Sequence, residues 1–508
     1  MRLLMPESSG MAKKMTAESV MLAAKQSSRC DVVPVRLRSA IQGYLREQQV
    51  GHMKKKVLRL RESFNHIKEF NRLLPQSVSK AMVEDPLGIE KSQRWKIKSS
   101  YGDTGLTYRD DNTAAYIASR MPSAFAACFR VLREVRTRLP GFSPAKVLDF
   151  GSGTGSAFWA LREVWPRSLE HVNLIEPSQS MQRAGFGLLQ DVKNIPLIHS
   201  YGSILSFTKK VRKPERQHDL VIASYVLGEI PSAKDRLSIV RQLWGLTRDI
   251  LVLIEPGTPE GSHIITQMRS HILWMEKRKT RKRKGLADGN SSEASRDGAF
   301  IIAPCPHDGP CPLVNTGTYC HFVQRLQRTE SQLAYKRSSG APRGFEDEKF
   351  SYVVFQRGKR PQEPWPLDDI KFETLKEMKA NRQPEDLEID YEDQLEDQSD
   401  SDEIVPNEVS LVPIEVSPSC DSSATEADAV DEFKEEVEER GHADLGSGWG
   451  RIIFMPQKRG RCVEMDVCRA TKRDGSEGAF EHLAITRGRN PALHRQARKS
   501  IWGDLWPF

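Results

Sequence analysis

Three alternate glycines, Gly151, Gly153 and Gly155, close the stretch VLDFGSGTG, which begins at Val147 and carries Asp149 just ahead of them. Glycine suits a tight strand-to-helix turn because it accepts positive φ and lets a ligand touch bare backbone. A second acid, Glu176, ends the run HVNLIE about 20 residues downstream, the spacing at which a carboxylate grips ribose hydroxyls. Together they read as a nucleotide-type cofactor crevice; the alternative is a fold of this type whose turn binds nothing. A second chemistry lies further on. Of eight cysteines, Cys305, Cys311 and Cys320 fall within Ala303–Arg328, spaced Cys-x5-Cys-x8-Cys among prolines and glycines. Turns of that composition wrap sulfur donors around a point. A tetrahedral centre needs one more ligand, and His307, His321, Cys462 and Cys468 are available. The spacing matches neither the paired knuckles of a zinc ribbon nor a ferredoxin run. Cys128 sits in an apolar stripe and reads as core; Cys420 reads as a free thiol. Sparse cysteines without a secretory leader point to a reducing compartment, where clustering means metal more than disulfide.

The elements that must hold these residues follow from hydrophobic pattern. Lys146–Phe150, His171–Glu176, Ile195–His199, Asp219–Ser224 and Ile250–Glu255 read as buried strands, with helices such as Ser156–Val164 and Ala233–Thr247 between them. That alternation is the signature of a doubly wound parallel sheet in an α/β fold. Ligands of such sheets sit at the carboxyl ends of the strands, which gathers Asp149, the three glycines, Glu176 and Ser224–Leu227 around one crevice. A long helix over Thr113–Leu139 precedes the first strand, with Pro122 near its start as a possible break.

Outside the sheet the composition shifts. Residues 1–35 read as a transit or disordered segment, although Glu7, Glu18 and Asp31 spoil an ideal presequence. Residues 36–140 read as a helical region, 141–300 as the Rossmann-like domain, and 301–360 as the cysteine-rich segment ending in the strand Lys349–Gln356. Residues 361–446 read as an acidic disordered linker. Residues 447–508 read as a small basic β-rich module with strands at Gly450–Met455, Arg461–Cys468 and His482–Arg487 and a basic helix at 491–500. The chain of 508 residues carries a formal net charge of +8, and its basic runs, Lys54–Lys56, Lys277–Lys284 and the terminal module, suit nucleic acid phosphates. Each run also reads as a plain solvated face. No apolar run reaches the length of a membrane span, as expected of a soluble protein.

With these residues laid out, the chain resembles the methyltransferase-like protein 17 family of mitochondrial small ribosomal subunit assembly factors. The resemblance rests on VLDFGSGTG, on EPGTPEG at Glu255–Gly261, on PCPHDGPCPL at Pro304–Leu313 with Tyr319–Cys320, and on DVC at Asp466–Cys468 with WGDLWP at Trp502–Pro507. It implies a class I methyltransferase fold of the S-adenosylmethionine type, with Asp149, Gly151, Gly153, Gly155 and Glu176 on the cofactor. It also implies a 4Fe-4S cluster on Cys305, Cys311, Cys320 and Cys468, with zinc on the same thiolates as the chemical alternative. Cys462 is the rival for the fourth place. Further implications are a mitochondrial matrix location, ribosomal RNA and ribosomal proteins as partners, and little or no catalysis. Two other functions stay open: an active S-adenosylmethionine-dependent ribosomal RNA methyltransferase, and a zinc-binding nucleic-acid module. After the fourth strand the chain has Ser224-Tyr225-Val226-Leu227 in place of the Asn/Asp-Pro-Pro-Tyr of amino-methylating enzymes. Asp219 and Glu229 read as a strand-edge charge and a helix residue.

Overall fold

The computed structural model describes residues 24–48 (apart from 27 and 29), 51–73, 108–284, 298–336 (apart from 315), 343–361 and 449–506 (apart from 473 and 490). The expected transit segment, apart from its last residues, lies outside this set. So do nearly all of the acidic linker, with Cys420, and most of the polar stretch 285–299.

Eight strands form the main sheet: β1 (Lys146–Phe150), β2 (His171–Ile175), β3 (Leu197–Tyr201), β4 (His218–Ser224), β5 (Thr247–Pro256), β6 (Ala299–Ala303), β7 (Phe322–Gln327) and β8 (Phe345–Arg357). Their order is β3-β2-β1-β4-β5-β8-β6, with β7 also paired to β8. The first five are parallel, and β8 runs antiparallel between β5 and β6. The order reverses between β1 and β4, so the crevice opens there, at the carboxyl ends of the strands. This is the Rossmann-like, methyltransferase-type arrangement.

The central strands β1, β4 and β5 are buried on both faces because helices cover both. On one face lie Val35–Glu47 (α1), Asp110–Ser119 (α3), Met121–Arg138 (α4), Ser156–Val164 (α5) and Gln179–Gly187 (α6). On the other lie Ile204–Lys210 (α7), Ala233–Leu246 (α8) and Pro259–Lys284 (α9). The single helix expected over Thr113–Leu139 is two, broken at Arg120, with Pro122 in the first turn of the second, where its missing N–H costs nothing. Strand β3 starts two residues later than its apolar pattern suggested: it is an edge strand, and Leu197 is 53 % exposed. Helix α2 (Met53–Leu73) buries Met53, Val57, Leu60 and Ile67 and turns Lys54, Lys55, Arg59 and Arg61 to solvent. Among the described residues no helix is long and apolar enough to cross a membrane.

Strands β6 and β7 pair with successive stretches of the same edge of β8: Ala299–Ala303 opposite Arg357–Val354, then Phe322–Gln327 opposite Phe350–Phe345. They are one strand line interrupted by the excursion 304–321. Prolines at 304, 306, 310 and 312 cannot donate to the ladder, which is why the chain leaves the sheet there. All three clustered cysteines ride on this excursion.

The terminal module is a second, antiparallel sheet ordered β10-β11-β9-β13, from Gln457–Arg459 (β10), Cys462–Ala470 (β11), Gly450–Ile452 (β9) and Leu505–Trp506 (β13), with Gly478–Thr486 (β12) paired along β11. Helix α11 (Pro491–Lys499) closes its small core of Ile452, Val463, Met465, Val467 and Trp506. Buried Arg451 joins the module to the main domain. Its guanidinium donates to the Glu134 carboxylate on α4, to the Gly503 carbonyl at 2.6 Å and to the Pro304 carbonyl at 3.1 Å. Glu134 also accepts from Arg130 at 3.0 Å, Arg138 at 3.2 Å and the Tyr352 hydroxyl at 2.8 Å.

Candidate functional site

The glycine turn leaves β1 and enters α5 with Gly151, Gly153 and Gly155 at φ of +69°, +54° and +89°. A Cβ at Gly151 would stand 2.5 Å from Val226 Cγ2, whereas one at Gly153 would meet nothing within 4 Å. The middle glycine thus faces open space, as a turn that admits a ligand must. Glu176 follows β2 and clasps this turn: Oε2 accepts from the Gly153 amide at 2.9 Å, and Oε1 from the Ser178 amide at 2.8 Å.

Asp149 is fully buried, and neither carboxylate oxygen has a hydrogen-bond partner. Burial, and then the neighbouring Glu176 charge, push it up to about 8. Burial lifts Glu176 to about 7 against the two amides that favour its charged form. Two further carboxyl groups join them. Glu255, at the end of β5, accepts from the Leu227 and Gly228 amides at 2.8 and 3.1 Å and is raised by burial to about 7. Glu229 accepts from the Tyr108 hydroxyl at 2.8 Å and is raised by burial to about 8. The carboxyl ends of β1, β2, β4 and β5 therefore gather an excess of buried acid, an environment suited to a cationic ligand. Helix α2 lies over one rim, where Asn71 Nδ2 donates to the Gly228 carbonyl at 2.8 Å.

Tyr225 occupies the place after β4 at a φ of +58°, a rare conformation for a bulky residue. Its hydroxyl donates to Glu348 at 2.7 Å, Arg120 pairs with the same carboxylate at 2.7 Å, and the guanidinium lies 4.7 Å over the Tyr225 ring. Burial, and then the Glu348 charge, hold the phenol well above its usual range.

The second site is sulfur. Cys311, Cys320 and Cys468 share one packed cluster with Leu313, Ile453 and Phe454. The thiol of Cys320 is raised by burial, then by Cys305, Cys311 and Cys468; that of Cys468 by burial, then by Cys305 and Cys311. Burial and Cys305 also raise Cys311, against the Leu313 and Val314 amides that approach its sulfur. The structure thus brings Cys305, Cys311, Cys320 and Cys468 within range of one another's charge. Arg269 and Arg451 are the cations that oppose the rise at Cys468. The Cys320 carbonyl is pinned by the Ser262 and Ser351 hydroxyls at 3.0 and 2.8 Å. Among the described residues no group of three or more His, Cys, Asp and Glu side chains is set to hold a single metal ion.

The two blocks of chain that carry these sites, residues 110–367 and 420–507, match the family model described as mitochondrial small ribosomal subunit Rsm22. The chain belongs to that family. The Rsm22-family match includes all four gathered cysteines and omits 368–419, within the acidic stretch. The human mitochondrial ribosome assembly protein METTL17 is 33 % identical over 271 residues, covering 53 % of this chain and 54 % of that protein. The mitochondrial ribosome assembly protein RSM22 of Saccharomyces cerevisiae is 24 % identical over 461 residues, covering 77 % of this chain and 66 % of that one. The chain spans between 44 % and 66 % of the length of the curated relatives it matches. Among solved structures, magnesium protoporphyrin IX methyltransferase of Synechocystis with bound SAH is 14 % identical over 56 % of this chain and 99 % of its own, at a TM-score of 0.26. The fold of this Rsm22-family chain rests on its strand order.

Of the residues open for a fourth ligand, Cys468 joins the trio. Cys462 starts β11, six residues and therefore about 20 Å away. His321 stacks on Tyr319 and meets Trp502 edge-on, with ring centroids 4.7 and 4.6 Å apart. His307 stands against Cys468, Nε2 to Sγ 3.4 Å; burial beside Arg269 and Arg360 holds its imidazole neutral, down to about 3. Cys128 is buried core, its thiol pushed by burial up to about 12. Asp219 is a strand-edge charge that accepts the Ala145 and Lys146 amides at 3.0 and 2.9 Å. Glu229, read from the sequence as a helix residue, ends the short 3-10 turn Leu227–Glu229 and is a crevice group as well, and Glu255, which entered only as part of EPGTPEG, is another. The Glu348–Tyr225–Arg120 group joins residues too far apart in sequence for any motif to mark.

Proposed function

We propose that this Rsm22-family chain is a mitochondrial matrix protein that assists assembly of the small ribosomal subunit by binding ribosomal RNA. On this reading it keeps a methyltransferase-type crevice for S-adenosylmethionine and holds a 4Fe-4S cluster, and methyl transfer is not its role. The observation that carries the reading is the gathering of four cysteines from two distant segments in a chain of this family.

The donor set fits an iron–sulfur cluster by its chemistry. The thiols of Cys311, Cys320 and Cys468 are raised by burial and by the neighbouring cysteines, and a multivalent cationic centre would remove that cost. Cys305, Cys311 and Cys320 would hold the cluster from the excursion, and Cys468 from the terminal module. The cluster would supply a structural cross-link between the two. Zinc on the same four thiolates is the competing occupant.

The crevice suits S-adenosylmethionine because its sulfonium and ammonium are cations and the site is rich in buried acid. Acceptor chemistry is another matter. Tyr225 directs its hydroxyl to Glu348, inside the protein, and its raised pKa removes it as a base. For RNA, exposed Lys54, Lys55, Arg59 and Arg61 on α2, Lys277, Lys279, Arg281 and Lys282 on α9, and Arg495 and Lys499 on α11 offer phosphate contacts.

Calorimetric titration of S-adenosylmethionine, run beside transfer of labelled methyl into immature small-subunit ribosomal RNA, tests the reading. Cofactor and RNA binding without turnover support it. Turnover that disappears in Glu229→Gln would establish an active methyltransferase instead.

A further inference from the structure

We propose that His307 is a positioning residue of the cysteine centre, holding the Cys468 sulfur through an Nε2–H···S hydrogen bond. The inference rests on the cluster reading above and adds a residue to it. The Nε2–Sγ distance is 3.4 Å, and the ring is fully buried. Its other nitrogen, Nδ1, faces the Arg269 guanidinium at 3.5 Å. A guanidinium can only donate, so Nδ1 facing Arg269 is the acceptor in this pairing, which assigns the ring proton to Nε2, toward sulfur. The same guanidinium donates to the His307 carbonyl at 2.9 Å and fixes the residue at both ends.

The terminal module is shaped around this ring. A Cβ at Gly478 would stand 2.1 Å from His307 Cδ2, so only a glycine lets β12 close over it. Next to it a Cβ at Gly309 would stand 2.7 Å from the Ser476 carbonyl, and the Asp308 amide donates to the Gly475 carbonyl at 2.7 Å. Backbone contacts thus press the His307 loop against the strand pair that carries Cys468.

A thiolate sulfur only accepts, so the contact strengthens when Cys468 gives up its proton to bind metal. An N–H donated to that sulfur withdraws charge from it and stabilises the reduced, more negative cluster; such hydrogen bonds are among the features that set cluster potentials. It also restrains the one ligand that comes from the terminal module, as outer partners of metal ligands do.

The test uses the full chain, purified and loaded anaerobically, as wild type, His307→Phe, His307→Gln and Gly478→Ala. Iron content, midpoint potential and the rate of iron loss to a chelator are measured for each. In His307→Phe the midpoint shifts negative and iron leaves about tenfold faster. His307→Gln, which keeps an N–H, recovers part of both changes. Gly478→Ala pushes the intact ring off the sulfur and shifts both in the same direction as His307→Phe. Thermal melts of the metal-free variants identify misfolding; if His307→Phe misfolds, the other two carry the test. Wild-type potential and wild-type loss rate in folded variants at equal iron content would overturn the role. A nitrogen ligand seen in the wild-type cluster and lost in His307→Phe would also overturn it, making His307 a ligand. Wild type without iron removes the cluster reading itself, and this role with it.

Discussion

Replacing Glu134 by glutamine tests how the terminal module is held. The wild-type carboxylate is 1 % exposed and meets three guanidiniums, those of Arg130, Arg138 and Arg451, besides the Tyr352 hydroxyl. The cations keep it ionised far below the usual carboxylate range despite burial. Glutamine keeps the shape and removes the charge, leaving the buried Arg130 and Arg451 and the partly buried Arg138 facing a neutral amide. Removing one partner of a buried pair costs about 3–5 kcal/mol, and three stranded cations place this variant at the upper end. Arg451→Met leaves Glu134 with Arg130, Arg138 and Tyr352, so its cost falls at the lower end. At about 2–4 °C per kcal/mol for a core of this size, Glu134→Gln lowers the melting midpoint by roughly 10 °C or more. Because the folded-state pKa is depressed, the stabilisation is present above the unfolded carboxylate range and is lost only as pH falls toward the folded value. The difference between wild type and Glu134→Gln therefore persists at pH 5. The assay is calorimetry of metal-free protein, with hydrogen exchange reporting on residues 449–506. Midpoints within about 2 °C of wild type, or faster exchange spread evenly over the chain rather than starting in the module, would refute the reasoning.

Other outcomes follow from the crevice. Asp149 binds its proton more tightly folded than unfolded, so its contribution to stability is fully present below about pH 4 and is lost as pH rises toward 8; Asp149→Asn removes roughly 2.5 kcal/mol of that fall between pH 5 and 7, read from denaturant melts. A cationic ligand favours the ionised carboxylates, so S-adenosylmethionine binds more tightly at pH 8 than at pH 6 in calorimetry, while the product S-adenosylhomocysteine, which lacks the sulfonium, responds less. Gly153→Arg abolishes that binding and costs about 1 kcal/mol for its left-handed φ without a steric clash, whereas Gly151→Ala adds a clash with Val226 and destabilises the fold further.

Much of this architecture is legible in local pattern. The apolar runs of β1, β4 and β5 are long, bounded by turns and buried on both faces, so period and length identify them; the glycine turn and Glu176 follow because ligand geometry fixes their spacing. What the sequence hides is non-local. Nothing in residues 299–303 and 322–327 shows that they form one strand line along β8, since the excursion between them has no periodicity. Arg451 and Glu134 lie 317 positions apart, and a buried ion pair leaves no mark on either neighbourhood. The break at Arg120, by contrast, is legible, because Pro122 just after it cannot continue the hydrogen bonds of the preceding helix. Clustered thiols are conspicuous because their residue type is rare. The choice of Cys468 over Cys462 depends on register in β11, which no count of residues supplies: Cys468 sits opposite Arg451 of β9, against the excursion, whereas Cys462 pairs with Arg459 at the far end. Arg451 and the glycines at 309, 475 and 478 also dock the module without metal, so loss of a cluster need not release it.

The most direct measurement is iron and acid-labile sulfide per chain in anaerobically purified wild type, Cys468→Ser and Cys462→Ser. About four irons and four sulfides per chain are expected in wild type and in Cys462→Ser, with both lost in Cys468→Ser. Stoichiometric zinc without sulfide, or iron retained in Cys468→Ser and lost in Cys462→Ser, would contradict a cluster shared between the excursion and the terminal module.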